Sequence, residues 1–283
     1  VTPWEGVRVA DTYGPMSPQA QISGVDGESS QNGTDNNSQN LNIWTPSIRD
    51  GRKRPVMVWL HGGGFSAGSS IEQLAYDGEN LSRAGDVVVV SVNHRLNVLG
   101  YLDLSPFGEK YQDSANAGNL DLIAALEWIR DNIEGFGGDP ENVTLFGQSG
   151  GGVKVWSLLQ MPEADGLFHK GIIESGVVDP DLLGDIEDGN GREIVKAMLA
   201  ELGLEEKDVD QLETLPYDQL AQAYENAAPK VAQKGEYVGN HPHKNQSYFG
   251  DAIKHGFREE TKKIPLLDKL KQVVKEHRFE SFE

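Results

Sequence analysis

Gly147-Gln148-Ser149-Gly150-Gly151 sets a serine between glycines at the pattern G-x-S-x-G. Such a serine is a nucleophile for carbonyl carbon when the chain makes a sharp strand-to-helix turn that presents its hydroxyl. The context fits. The segment NVTLF (residues 142–146) reads as a strand, and residues 150–159 read as a helix. Glycines at 147 and 151 relieve the crowding of so tight a turn. The N–H groups that open the helix point near the serine, where the helix dipole favours negative charge.

A second pattern, His61-Gly62-Gly63-Gly64, follows the apolar run PVMVWL (residues 55–60). Attack on an ester carbonyl makes an oxyanion, which needs backbone donors that side chains would obstruct. The N–H groups of Gly63, Gly64 and Gly150 can supply that cradle, each worth on the order of 3 kcal/mol in the transition state. Either pattern alone is also met in plain glycine turns. The two in this order, each after a strand, point together to acyl transfer.

These residues need a scaffold that brings separate strand ends together. LNIWT (41–45) alternates like a strand, residues 86–92 form a β-branched run, and GIIE (171–174) is a short strand. Near-continuous apolar strands suit a parallel sheet covered on both faces. Residues 120–133 carry Leu122, Ile123, Leu126, Ile129 and Ile133 on one helical face. Strand and helix in alternation predict an α/β fold. Residues 23–40 read as a polar loop. Beyond residue 180 the character turns helical, over 192–202 with Gly203 as its stop, and over an acidic stretch at 204–228. Residues 235–250 read as irregular, and IPLL (264–267) as a short strand.

Composition narrows the partners. The chain has 283 residues, 37% hydrophobic and 24% charged, an ordinary globular balance. Lys plus Arg is 25 and Asp plus Glu 44, a net charge of −19. Such a surface repels phosphate backbones and anionic lipid, so neither nucleic acid nor membrane insertion is expected. No apolar run is long enough to span a bilayer. There is no cysteine, which excludes disulfides, thiolate nucleophiles and Cys-ligated zinc. Compartment stays open between cytoplasmic and secreted without disulfides, and oligomeric state is not legible. No metal or cofactor is expected.

The segments LNIWTP (41–46), PVMVWLHGGGF (55–65), VVVVSVNHRL (87–96), FGGDPENVT (136–144), FGQSGGG (146–152) and GLFHKGIIESG (166–176) carry a resemblance to a known family. The chain resembles the type B carboxylesterases of the α/β-hydrolase fold, which include cholinesterases and bacterial para-nitrobenzyl esterases. The resemblance covers most of residues 1–176 and thins to an echo at REETKKIPLL (258–267). It implies an α/β-hydrolase fold with a mostly parallel central sheet flanked by helices, without a recognisable N-terminal preamble or C-terminal strands. It implies one incomplete domain over 1–283: a family-like core at 1–176, a helical cap-like region at 177–263, and a short strand and helical end at 264–283. It further implies a serine hydrolase acting on small-molecule esters, with Ser149 as nucleophile and Gly63, Gly64 and Gly150 as oxyanion donors.

The departures concern the rest of the triad. A serine hydroxyl needs a base and a group to orient that base. In the family the acid follows the strand matching 264–267, and the histidine comes later. Here Leu267 runs into Asp268, and only His277 follows, without matching context. His94, at a strand end, is the substitute base the sequence offers, and Glu174 or Asp268 the substitute acid. His61 belongs to the glycine turn and His169 to a helix–strand link. His241 and His243 are spaced like metal ligands but lack a third. His255 and His277 read as solvated. The catalytic histidine and acid are left unknown. A second reading therefore stands beside the first, a non-catalytic carboxylesterase-like binding or adhesion module.

Overall fold

The computed structural model describes residues 5–6, 8–20, 34–35, 37–48, 50–176 and 189–248. The expected strand at 264–267, together with His255, Asp268 and His277, lies outside them, as does most of the 23–40 loop.

Among the described residues, five strands form one sheet, β1 (Asn40–Trp44), β2 (Arg54–Leu60), β3 (Val88–Asn93), β4 (Gly138–Gln148) and β5 (Lys170–Glu174), in the order β1-β3-β2-β4-β5. All neighbours are parallel except β1, which pairs antiparallel with β3 from Asn40↔Asn93 to Trp44↔Val89. The sheet is therefore mixed at its first edge. Every residue of β3 is buried, as its run of valines requires between two covering layers. β2 alternates, placing Val56, Val58 and Leu60 in the core.

The long helix α3 (Ala117–Asn132), preceded in the chain by the short α1 (Glu79–Gly85) and α2 (Asn97–Tyr101), packs Leu122, Ile123, Leu126 and Ile129 against the valines of the sheet. It is fastened to the end of β3 by charge. The Asp121 carboxylate accepts from Arg95 N–H at 3.0 Å, from Nε at 2.8 Å and from Nη2 at 2.7 Å. The next helix, α4 (Gly150–Leu158), rises from the end of β4 and buries Val155 and Leu158 in the same core.

A second cluster of buried apolar residues joins Val98, Leu102 and Tyr111 to α5 (Arg192–Glu201) and α6 (Tyr217–Ala232). Gly203, at φ 71°, ends α5 in the left-handed conformation that suits glycine. The acidic stretch expected to be helical throughout is divided. A 3₁₀ segment covers Glu206–Glu213, and α6 starts only after Pro216. Proline has no N–H to donate and fits a helix start rather than its interior.

Candidate active site

Strand register brings the two glycine motifs together. β2 and β4 are parallel neighbours with Leu60 opposite Gly147, and Gln148 of β4 faces Glu174 of β5. The chain therefore leaves the sheet at adjacent points, once into His61–Gly64 and once into Ser149. Parallel strands with their carboxyl ends aligned make this crevice the normal place for a ligand in such sheets.

Ser149 has φ 54° and ψ −124°, a backbone conformation rare for any residue but glycine. Two hydrogen bonds hold it there. Its N–H donates to the Glu174 carbonyl at 2.8 Å, and its carbonyl accepts from Val153 N–H at 3.1 Å in the first turn of α4. The turn is so close to β2 that a Cβ on Gly151 would lie 2.0 Å from the Leu60 carbonyl oxygen. The outcome is an exposed serine at a helix N-terminus, with the strain expected of a nucleophile elbow.

The glycine strip lies against this elbow. A Cβ on Gly150 would sit 2.3 Å from the Gly64 nitrogen, so only bare backbone permits the approach. Gly63 and Gly64 are exposed while Gly150 is buried. Two carbonyls of the strip are taken. Gly62 O accepts from His61 Nδ1 at 2.8 Å, and Gly63 O accepts from Ser66 N–H at 3.3 Å and Ala67 N–H at 3.1 Å. Across a trans peptide the N–H points opposite to the carbonyl. The N–H groups of Gly63 and Gly64 consequently face away from these partners, and neither has an acceptor among the described residues. A side-chain clamp steadies the far end of the loop. The Gln19 amide donates to Gly68 O at 3.0 Å and accepts from Gly68 N–H at 2.6 Å.

Beneath the strip is a buried polar cluster. The rings of His61 and His94 stack with centroids 5.3 Å apart. Burial holds both imidazoles well below their usual titration range, and the nearby Lys154 charge adds to it. Both are thus neutral at pH 7. His94 uses Nδ1 toward the Arg95 carbonyl at 2.8 Å, and its Nε2 is buried without a partner. Lys154, on α4, is fully buried and donates to the His61 carbonyl at 2.8 Å. Sequence reading passed over this lysine. Its signal was the company it keeps, a single charge between Val153 and Val155 in a helix otherwise made of apolar residues, glycines and one serine.

Other candidates fall elsewhere. Among the described residues, no histidine or carboxylate hydrogen-bonds the Ser149 hydroxyl, His94 and Glu174 included. Glu174 contributes its backbone carbonyl. His169 accepts the Val143 N–H through Nδ1 at 3.1 Å, a structural link between β4 and β5. His241 and His243 pack edge-on and tilted around Tyr237. No cluster of three or more His, Cys, Asp or Glu suited to a metal occurs among the described residues. No described helix is long and apolar enough to cross a membrane.

A mostly parallel sheet with helices on its faces and a serine elbow facing a glycine strip is the α/β-hydrolase arrangement. The carboxylesterase family model matches residues 1–270, and the chain belongs to that family. It is 40% identical over 233 residues to the para-nitrobenzyl esterase of Bacillus subtilis (strain 168), covering 82% of this chain and 45% of that protein. It is 36% identical over 242 residues to the phenmedipham hydrolase of Pseudarthrobacter oxydans, covering 83% and 45%. Among solved structures it superposes with TM-score 0.83 and 53% identity on an esterase from Clostridium hathewayi described as hydrolysing aliphatic aromatic polyesters, covering 90% of this chain and 52% of that one. The chain spans about half the length of each.

Proposed function

We propose that this chain carries the nucleophile and oxyanion donors of a serine ester hydrolase. Ser149 Oγ attacks the acyl carbon of a small-molecule ester, its proton passing to a general base. The carbonyl oxygen becomes an anion that accepts from the N–H groups of Gly63, Gly64 and Gly150. Collapse expels the alcohol and leaves an acyl-enzyme on Ser149, and water then releases the acid. The observation that carries this reading is the backbone contact of Gly150 with Gly64 beside an exposed, positive-φ serine. A binding role alone has no use for unpaired amides there.

The described residues include no imidazole in contact with Ser149. Low turnover by this chain alone is expected, because a site with donors but no working base keeps roughly 10³–10⁴-fold catalysis over water. That same observation favours the second reading, a carboxylesterase-like binding module. The description of one solved relative, an esterase that hydrolyses aliphatic aromatic polyesters, supports esters with aromatic and aliphatic parts as first substrates to try. A net charge of −19 argues against polyanionic partners. We also read residues 189–232 as part of a cap-like layer, since their apolar core joins the segment after β3 rather than the sheet core.

Intact mass after treatment with a fluorophosphonate tests the catalytic reading. One adduct, mapped to Ser149 and lost in Ser149→Ala, supports it. A folded chain that takes no adduct after prolonged exposure overturns it in favour of the binding module.

A further inference from the structure

Lys154 is the only lysine among the described residues to be fully buried, and the reaction just described gives it no task. An apolar side chain would fill the same space without the cost of burying a charge. Its ammonium donates to the His61 carbonyl at 2.8 Å. Near the other end of that His61–Gly62 peptide, the Gly62 N–H, are the Tyr76 hydroxyl and, beside it, the Glu72 carboxylate. Glu72 also accepts the Ser69 N–H at 3.2 Å and is attracted by Lys154. One planar peptide is thus held at its carbonyl by an ammonium, with a phenol and a carboxylate near its amide. Its rotation is restrained from the carbonyl end, and the next carbonyl, Gly62 O, is fixed by the His61 ring.

We propose that Lys154, with Tyr76 and Glu72, is a positioning clamp that sets the direction of the Gly63 and Gly64 N–H groups through the His61–Gly62 peptide. It rests on the oxyanion reading of those two amides. The titratable groups facing Lys154 are His61 at the end of β2, His94 at the end of β3, and Glu72 in the segment after the strip. Both imidazoles are neutral, so the charged partners are Lys154 and Glu72 alone. Burial lowers Lys154 to about 7, which makes the grip strongest below neutrality and weaker above it.

The test uses the full chain with ¹⁵N-glycine and ¹³Cε-lysine. The Gly62, Gly63 and Gly64 amide signals are expected to move together between pH 6 and 9 with the midpoint of the Lys154 ¹³Cε signal. In Lys154→Met that movement disappears and fluorophosphonate labelling of Ser149 slows by about tenfold or more, since misplacement of a donor is costly. Tyr76→Phe slows labelling in the same direction with the Lys154 titration retained, and serves if Lys154→Met does not fold. Glycine amides that ignore the Lys154 titration, or variants labelled at the wild-type rate, overturn the clamp. If the wild-type chain takes no label, the hydrolase reading falls, and the amide titration still decides the clamp.

Discussion

A glycine at this site is required for one of two separable reasons, and the two are expected to fail differently. At Gly151 a side chain meets backbone, the Leu60 carbonyl 2.0 Å away, which cannot yield without moving β2. Gly151→Ala is therefore expected to cost about 3 kcal/mol or more in urea unfolding, at the upper end of overpacking penalties. At Gly64 a Cβ meets nothing within 4 Å, but φ is 60°. Gly64→Ala is expected to cost only about 1–2 kcal/mol of backbone strain. Comparable losses for the two would contradict the assignment of different causes. Both glycines were legible in the sequence as positions of the turns their motifs require. Lys154 was not, because a lysine in a helix reads as solvated until its neighbours' faces are known. Its burial carries a consequence for stability. Between about 7 and its ordinary value of 10.5, the unfolded chain binds a proton that the folded chain has released. Stability thus rises with pH across that window, by several kcal/mol for a fully buried amine. Lys154→Met should remove this rise. A wild type and variant with parallel stability–pH curves would refute it.

At the scale of elements, β2, β3, β4, β5 and α3 were legible because their patterns are one-sided. Valine runs leave only a strand buried on both faces, and Leu122, Ile123, Leu126 and Ile129 leave only one helical stripe. The direction of β1 was not legible, since alternation in LNIW says strand without saying which way it pairs. The division of the 204–228 stretch was available in Pro216 but was outweighed by the helical composition around it. The fastening of α3 to β3 depends on one carboxylate. Asp121 is 4% exposed and holds both the backbone and the guanidinium of Arg95. Asp121→Ala is expected to lower unfolding free energy by about 2 kcal/mol or more, because Arg95 N–H loses its acceptor and the guanidinium keeps only the Ala117 carbonyl. A loss below a few tenths would mean that the helix is held by its apolar stripe alone.

At the scale of the molecule, two apolar clusters share the chain, one under the sheet and one between α5, α6 and the segment after β3. A net charge of −19 works against both by self-repulsion, and salt screens it. The thermal midpoint is expected to climb as sodium chloride is raised from about 10 mM toward 0.5 M, and a fall would show that local ion pairs such as Lys110 with Asp210 and Glu213 outweigh the overall repulsion.

The pairing of Leu60 with Gly147, closed by Lys154 reaching back to His61 across 93 positions, also has a meaning in time. A growing polypeptide emerging from a ribosome has β1, β2 and β3 in hand before β4 exists, but the Lys154 contact to the glycine strip has to wait for α4. Loop closure over so many residues comes late in assembly. The glycine strip and the serine thus take up their facing arrangement together, once α4 has followed β4.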